Sequence, residues 1–337
     1  MKSRNFQAAA VAPKAALAAL AGVAIAGCGA VKNTITPQPG TTNQVTVALA
    51  GQPNAFYIGI YEAQALGLFK QTDMNVKVVI PSTSEDPLTM VHDGQVLVGI
   101  SSETNVLLHR NLNQPVVGVA ALVHGPLQAI TVTLPTGPSG GVAVGAGTTT
   151  TATTTTARSA KTTTAPKTTT APTTTTTATT TTTATTTTPA TTTTISEPDT
   201  TLWPEKLQQL LSSPGYPTYD GLVVVVRKGS IVDHAPLIRR FVQAVARGYR
   251  AARANPTQAI TNLITEVPSL APQQALETAE LTAAMPYFFP AGGKVWGWQR
   301  EAQWNSFGSW MTQNQLLSNP NAVTDASTNE LLPGQGV

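Results

Sequence analysis

Cysteine, charge and aromatic side chains are scarce in this chain of 337 residues. It has one cysteine, 11% charged residues and 5% aromatic residues. A single thiol forms no internal disulfide bond, so packing and hydrogen bonds must hold the fold together. After the first 27 residues no Lys/Arg cluster is interleaved with aromatic residues, which argues against nucleic-acid binding.

The formal net charge of +3 comes from the start of the chain. Lys2, Arg4 and Lys14 precede or open the apolar run 15–27, which contains no charged residue. A cationic start, a short apolar core and small residues are typical of a secretory signal peptide. The run is too short for a comfortable membrane-spanning helix. Without this segment the chain has 17 Lys/Arg against 17 Asp/Glu and is neutral.

The single cysteine, Cys28, closes this segment. The stretch IAGC (25–28) resembles a bacterial lipobox, in which a branched apolar residue and two small residues precede the cysteine. The resemblance implies cleavage before Cys28 and a diacylglyceryl group on its sulfur, which would anchor the protein to a membrane. The alternative is a buried structural thiol. We expect a lipoprotein signal peptide at 1–27, a tether at 28–43 and an extracytoplasmic protein anchored to the bacterial cell membrane.

Strands and helices alternate between residues 44 and 123. Alternating or continuous apolar runs predict strands, and apolar residues at helical spacing predict helices. The predicted strands are 44–50, 74–80, 96–100 and 115–123, and the predicted helices are 54–67, 84–94 (capped by Ser84) and 103–111. This order predicts βαβ units and a mostly parallel sheet. Ligands bind beyond the carboxyl ends of such strands, which selects residues 50–54, 101–104 and 123–126.

Residues 136–200 form a Thr-rich, low-complexity segment. Positions 148–194 contain no large apolar residue, so they cannot offset the entropy of ordering by burial, and we expect disorder there. Two explanations stay open. The segment is either a true insertion that replaces most of a second lobe, or the product of a reading-frame disturbance that recovers near residues 200–216.

Helices dominate the last third of the chain. They are predicted at 202–213, 233–256 (capped by Asp233), 257–267, 271–284 and 299–316, with a buried strand at 221–226. The clearest helix has an apolar stripe of Ile238, Phe241, Val242, Val245 and Tyr249. Residues 317–337 are expected to form a polar, irregular tail.

Several blocks of sequence, in the right order, resemble the SsuA/THI5-like (NMT1) family of solute-binding proteins. Before the Thr-rich segment they are VTVALAGQPNAFYIGIYEAQALGLFKQTDMNVKVVIP (45–81), DPLTMVHDGQVLVGISSETNVLLHR (86–110) and VVGVAALVHGPLQAI (116–130). After it they are PTYDGLVVVVRKGSI (217–231), IRRFVQAVARGYRAARANP and WGWQREAQWNSFGSWM (296–311).

The resemblance implies an α/β fold of the type II periplasmic-binding-protein kind. Two α/β lobes with parallel-dominated sheets would hold a ligand in the cleft between them, with the second lobe interrupted by the Thr-rich tract. Residues 44–135 would form the first lobe, and 201–316 the hinge return and C-terminal helices. The implied function is delivery of a small polar or heteroaromatic solute, pyrimidine-like or sulfonate-like, to ABC permease subunits. A monomer without cofactor or catalytic activity is expected.

Ligand-binding candidates follow from the strand-end rule and the resemblance. They are Gln52, Asn54, Tyr57, Tyr61, Ser101, Ser102, Glu103, His124 and Tyr219. The thiamine-pyrimidine branch of the family usually has D-W-x-P-N-x-x-H in its opening turn. Here Ala50, Gly51 and Tyr57 stand at the Asp, Trp and His positions, whereas Asn54 matches. The yeast-type pyrimidine synthases of the family carry a cysteine-rich motif and a donor histidine. This chain has a single cysteine and a tyrosine at that histidine position, which argues against an enzyme.

Plainer interpretations stand beside these candidates. Ser101 or Ser102 would serve as a helix N-cap, and Tyr219 would shape a turn. The tryptophans after residue 295 would pack a closing helix rather than form a platform for a ring. His92 and His109 are expected on helix surfaces, and no histidine has metal-ligand spacing. The alternative functions are a structural or adhesive surface lipoprotein with a Thr-rich stalk, and a frame-disturbed binding protein without function.

Overall fold

The structure, a computed structural model, describes most of the chain after residue 42. The described residues are 43–82, 85–134, 148–150, 191–197, 199–200, 202–289, 292 and 294–334. The predicted signal peptide, Cys28 and nearly all of the predicted tether lie outside them. Within the described ranges, no helix combines the length and the apolar character needed to cross a membrane.

The described ranges contain eight strands and nine α-helices. The strands are β1 Gln44–Leu49, β2 Asn75–Val79, β3 Val98–Ser101, β4 Val116–Val123, β5 Thr131–Leu134, β6 Thr148–Thr150, β7 Thr191–Ile195 and β8 Leu222–Arg227. The helices are α1 Ile58–Ala65, α2 Pro87–His92, α3 Glu103–Asn111, α4 Glu205–Leu211, α5 Ser230–Asp233, α6 Ala235–Ala254, α7 Pro256–Glu266, α8 Gln274–Ala284 and α9 Glu301–Gln313.

Five strands form the main sheet, in the order β2-β1-β3-β8-β4. β1 pairs in parallel with β2 and β3, whereas β8 pairs antiparallel with both β3 and β4. Four strands therefore run in one direction, and β8, which returns from the last third of the chain, runs against them. The predicted α/β class with a parallel-dominated sheet is confirmed in this lobe.

Both faces of the main sheet are covered, so its central strands are apolar throughout. Successive side chains of a strand point to opposite faces. In β8, Val224 and Val226 belong to one hydrophobic core with Phe241 of α6, whereas Val223 belongs to the other core with Trp304 of α9. The continuous Val run of β8 is the sequence signature of such a doubly covered strand.

A second, three-stranded sheet has the order β5-β7-β6 and is antiparallel. The expectation of disorder over 148–194 is therefore wrong at Thr148–Thr150 and at 191–194, which lie in strands. Threonine favours extended backbone, and buried Val132 and Ile195 supply apolar packing that the Thr runs lack. The residues between β6 and β7 lie outside the described part of the chain. In the region where an interrupted second lobe was predicted, the described residues form this short sheet.

Two predicted helix starts are corrected. α2 is capped by Asp86, whose carboxylate accepts a hydrogen bond from the Thr89 amide at 2.7 Å; Ser84 lies outside the described residues. The predicted helix 233–256 is divided into α5 and α6, and His234 stands between them as the cap of α6. Asp233 does not cap α6 because it is already the last residue of the short α5.

The segment after α9 is irregular, as predicted, but it packs against the lobe. Gly118 donates to the Ala326 carbonyl at 2.9 Å and accepts from the Thr328 amide at 2.9 Å, which covers the outer edge of β4. The Arg110 guanidinium at the end of α3 donates to the carbonyls of Ala322 at 2.7 Å and Asn321 at 3.3 Å. Residues 318–328 therefore form a clamp joined to both β4 and α3.

His109 is fully buried and not, as predicted, on a helix surface, because its ring lies between Asp86 and Gln114. α3 is covered on its outer side by residues after α9, including buried Leu316 and Leu317. His109 Nε2 lies 2.9 Å from an Asp86 carboxylate oxygen, and its Nδ1 contacts Gln114 Oε1. The histidine thus links α2, α3 and the loop that follows α3.

Candidate functional site

Polar side chains converge at one edge of the main sheet. The carboxyl ends of β1, β3 and β4 lie at this edge, and the antiparallel β8 begins there. The segment that follows β7 reaches the same edge. We name the group the strand-end cluster, and it consists of Tyr57, Glu103, His124, Glu197, Tyr219 and Asp220.

Two glycines allow the end of β4 and the start of β8 to approach each other. The Gly221 amide lies 3.0 Å from the carbonyls of both Val123 and Gly125. A Cβ at Gly221 would come within 2.5 Å of the Gly125 carbonyl oxygen, and Gly125 itself has a φ of +139°. This close approach places His124 beside Asp220.

Glu103 and Asp220 connect the start of α3 to the start of β8. The Asp220 amide donates to Glu103 Oε2 at 2.8 Å, and the Glu103 amide donates to the Asp220 carbonyl at 3.0 Å. His124 Nδ1 lies 3.4 Å from Asp220 Oδ1. Burial of Glu103, together with the nearby charge of Asp220, raises the pKa of the Glu103 carboxyl well above its usual range.

Glu197 and Tyr219 form the second half of the cluster. The Tyr219 hydroxyl lies 2.9 Å from Glu197 Oε1 and 3.1 Å from Gln128 Oε1. The Leu127 amide donates to the same Glu197 Oε1 at 3.3 Å. Burial of the carboxyl group raises the pKa of Glu197 to about 7. The Tyr219 ring stacks on Phe307 of α9, with ring centroids 4.7 Å apart.

Tyr57 reaches the cluster from the turn that follows β1. Its side chain is 1% exposed. Burial is the main cause that raises the pKa of Tyr57, and the charges of Tyr61, Glu197 and Asp199 raise it further. Hydrogen bonding with the Gly51 backbone acts to lower it. The Tyr57 hydroxyl is therefore within electrostatic range of the segment after β7.

Each half of the cluster presents buried polar atoms without a hydrogen-bond partner among the described residues. They are Tyr57 Oη, Glu103 Oε1, His124 Nε2, Glu197 Oε2 and Asp220 Oδ2. Buried polar atoms are normally satisfied, because an unmade hydrogen bond costs about 1–3 kcal/mol. Five such atoms at one sheet edge suit a polar solute. The described residues hold no group of three His, Cys, Asp or Glu side chains that would bind a metal ion.

The other predicted residues have local roles or lie apart. Asn54 Oδ1 accepts from the Phe56 amide at 3.0 Å and caps the turn before α1. Gln52 is exposed. Tyr61 lines a separate groove of about 560 Å³ along the edge strand β2. Ser102 caps α3 by accepting from the Asn105 amide at 3.2 Å, and Ser101 Oγ accepts from Asn105 Nδ2 at 3.0 Å.

Sequence reasoning missed Asp220, Glu197 and Asn105. Asp220 directly precedes a predicted strand, but the direction of that strand, and hence the edge it starts from, was not predicted. Asn105 holds the segment after β7 by donating to the Asp199 carbonyl at 2.9 Å and accepting from Trp203 Nε1 at 2.6 Å. Glu197 follows the Thr-rich tract, and no pattern in the sequence connects it to the sheet.

The family model described as NMT1/THI5 like matches residues 54–137 and 205–259, which confirms the resemblance drawn from the sequence. The formylaminopyrimidine-binding protein of Halalkalibacterium halodurans is 33% identical over 86 residues, or 26% of each chain. A 4-amino-5-hydroxymethyl-2-methylpyrimidine phosphate synthase of Saccharomyces cerevisiae is 27% identical over 90 residues, which are 27% of this chain and 26% of that protein. The alignments therefore span about a quarter of these curated relatives.

Among solved structures, the alkanesulfonate-binding protein SsuA from Xanthomonas axonopodis pv. citri, bound to MOPS, is similar. The superposition covers 85% of this chain and 98% of that chain, with a TM-score of 0.48 and 10% sequence identity.

Proposed function

We propose that this chain, which carries the NMT1/THI5-like match, is the extracytoplasmic solute-binding component of an ABC importer. It would act as a monomer, deliver a small solute to ABC permease subunits and be held at the membrane by a lipid on Cys28. The observation that carries the proposal is the strand-end cluster, in which five buried polar atoms have no hydrogen-bond partner among the described residues. They lie at the edge of the sheet where α/β folds bind ligands.

The chemistry of the cluster favours an uncharged heteroaromatic solute over a sulfonate. Three carboxyl groups face this edge, from Glu103, Glu197 and Asp220, against one imidazole, from His124. A permanent anion would have to be buried beside carboxyl groups, which is unfavourable. An aminopyrimidine offers both N–H donors and ring-nitrogen acceptors, and these complement carboxyl, imidazole and phenol groups.

Isothermal titration of the full chain with two probes tests the proposal. Formylaminopyrimidine, the ligand named for one relative, is expected to bind, and MOPS is expected not to bind. Tight binding of MOPS without binding of formylaminopyrimidine would contradict the heteroaromatic assignment and indicate a sulfonate-binding protein. Absence of binding for both probes, with a folded protein shown by circular dichroism, would remove the solute-binding proposal in this form.

Tyr57→Phe separates binding from folding. The Tyr57 hydroxyl has no hydrogen-bond partner among the described residues, so its removal should leave the free energy of unfolding unchanged or slightly higher. If the solute takes this hydroxyl, affinity for formylaminopyrimidine falls roughly 5- to 10-fold. Titration calorimetry and urea unfolding measure the two effects.

Tyr249→Phe is the matched control. The Tyr249 hydroxyl already donates to the Phe56 carbonyl at 2.7 Å in a buried position. This variant should therefore lose about 1–2 kcal/mol of stability and keep its affinity. Equal affinity losses in both variants would contradict a direct role for Tyr57.

A second candidate function is suggested by the similarity to pyrimidine phosphate synthases. We propose binding without chemistry, because Tyr57, a residue with a raised pKa, stands where the resemblance places the donor histidine. Recovering the solute chemically unchanged after prolonged incubation, as measured by mass spectrometry, is the expected result. A modified pyrimidine would instead establish an enzyme.

A further inference from the structure

We propose that Glu197 is a specificity-determining residue of the strand-end cluster, and that its protonated carboxyl group donates a hydrogen bond from Oε2 to an acceptor atom of an uncharged solute. The inference rests on the proposed function. It adds that the solute contributes a hydrogen-bond acceptor and that Glu197 is protonated when the solute binds. Glu197 lies outside both segments matched by the family model, 54–137 and 205–259.

The contacts of Glu197 leave one oxygen for a ligand. Oε1 faces the Tyr219 hydroxyl at 2.9 Å and the Leu127 amide at 3.3 Å, so its two lone pairs are both used. Oε2 is buried and has no partner among the described residues. A proton on this carboxyl group therefore resides on Oε2, where it makes the group a hydrogen-bond donor.

The surroundings of Glu197 favour the protonated form. Burial raises the pKa of Glu197 to about 7, so the carboxyl group is substantially protonated at neutral pH. The titratable groups that face this region are Tyr57 before α1, Glu103 on α3, His124 after β4, Asp199 in its own segment, and Tyr219 and Asp220 before β8. The neighbouring carboxyl groups oppose a further negative charge. Burial outweighs the hydrogen bonds from the Tyr219 hydroxyl and the Leu127 amide, which act to lower the pKa of Glu197.

Glu197 is held in place by contacts that do not involve a ligand. Asn105 on α3 donates to the carbonyl of Asp199, two residues further on, at 2.9 Å. Asn105 also accepts from the indole N–H of Trp203 at 2.6 Å. These hydrogen bonds hold the segment after β7 against α3, and they position the Glu197 carboxyl group at the sheet edge.

The proposed proton makes binding depend on pH. A solute that accepts a hydrogen bond from Oε2 binds the protonated protein, whose fraction falls as the pH passes the pKa of about 7. Affinity should then be constant below about pH 6 and fall about tenfold between pH 6 and pH 8.

Titration calorimetry of the full chain with formylaminopyrimidine from pH 5.5 to about pH 8.5 tests this. Glu197→Gln keeps an oxygen for Tyr219 and Leu127 and places an amide N–H where the carboxyl proton was. It should bind with the low-pH affinity of the wild type at every pH. Glu197→Leu has neither group and should bind at least tenfold more weakly throughout. His124→Gln, whatever its absolute affinity, should still show the fall of about tenfold in affinity between pH 6 and pH 8, which excludes the imidazole as the source of the pH dependence.

The outcomes separate the two proposals. A wild-type affinity that does not change with pH, or a Glu197→Gln profile that still falls above pH 7, overturns the role of Glu197 and leaves the solute-binding function standing. Failure of the folded wild type to bind the probe at any pH overturns both. Loss of the pH dependence in Glu197→Gln, with affinity retained, supports the assignment.

Discussion

Single side chains decide whether the segment after β7 reaches the sheet edge. Asn105 uses all its polar atoms: Nδ2 donates to Ser101 Oγ at 3.0 Å and to the Asp199 carbonyl at 2.9 Å, and Oδ1 accepts from Trp203 at 2.6 Å. Its side chain is 2% exposed. One buried amide on α3 therefore connects β3 to Asp199 and Trp203 in the segment after β7.

Asn105→Asp should destabilise the protein although the shape of the side chain is kept. The carboxylate loses both donors and faces the Asp199 carbonyl oxygen, so we expect a loss of about 3 kcal/mol in the free energy of unfolding. Urea unfolding followed by tryptophan fluorescence measures it. Asn321→Asp, at an exposed position of the clamp, is the control and should change stability by less than about 0.5 kcal/mol. Similar effects of the two substitutions would contradict the bridging role.

At the residue scale, the sequence identified part of the cluster. Glu103 and His124 were found because each follows the carboxyl end of a predicted strand, whereas Tyr57 and Tyr219 came from the family resemblance. The same rule also selected Ser102, which caps its own helix. Glu197 was beyond reach, because its place depends on how the chain returns after the Thr-rich tract and not on any local pattern.

Helices α1 and α6 approach so closely that backbone meets backbone. A Cβ at Gly248 would lie 2.0 Å from the Gly59 carbonyl oxygen, and a Cβ at Gly59 would lie 2.0 Å from the Tyr249 ring. The glycines let Tyr249 pack between the helices while its hydroxyl reaches the Phe56 carbonyl at 2.7 Å. The close packing of the two helices around the Tyr249 ring fixes α1, and with it the turn that carries Tyr57.

Gly248→Ala should force the two helices apart. Because the clash is with backbone and not with a flexible side chain, we expect a loss of about 3 kcal/mol in stability and a weaker affinity for the solute. Gly229→Ala is the control: its Cβ would meet no atom closer than 4.0 Å, and its φ is −62°. That variant should be neutral or slightly stabilised in thermal unfolding. Equal melting temperatures for both variants would contradict the close-packing argument.

At the element scale, the positions of the helices and strands could be predicted from the sequence, but the direction of β8 in the sheet could not. The buried stripe of α6, including Ile238, Phe241 and Tyr249, follows directly from its spacing. The position of β8 is also apparent, because its Val run is unmistakable. Its antiparallel insertion between β3 and β4 could not be predicted from local patterns, since it depends on pairing between residues about 100 or more positions apart.

At the scale of the whole molecule, several buried glutamates of the described residues favour their protonated forms. Burial raises the pKa of Glu277 to about 7 and that of Glu280 to about 8, the latter also because of the neighbouring Glu277 charge. Glu277 accepts a hydrogen bond from the Ala55 amide at 2.7 Å. Glu197 has a pKa of about 7. By contrast, the pKa of Asp86 is lowered by hydrogen bonding to His109, despite burial that opposes it.

These shifts predict that the protein is more stable in mild acid than at alkaline pH. A carboxyl group whose pKa is raised in the folded state stabilises the fold fully below its unfolded pKa, and this contribution is lost as the pH rises through the folded pKa. The free energy of unfolding should therefore fall between about pH 5 and pH 8. The contribution of Asp86, whose folded pKa is lowered, is lost only in stronger acid and lies outside this window.

Glu280→Gln isolates one part of this pH dependence. The substitution removes one titrating group, so the slope of stability against pH should become shallower by up to about 1.4 kcal/mol per pH unit, most strongly between about pH 5 and pH 8. Urea unfolding at a series of pH values measures the slope. Glu330→Gln, at an exposed position of the C-terminal segment, should leave it unchanged. A wild-type stability that does not fall between pH 5 and pH 8 would contradict the raised pKa values of the buried glutamates, because carboxyl groups with ordinary pKa values contribute no slope in this range.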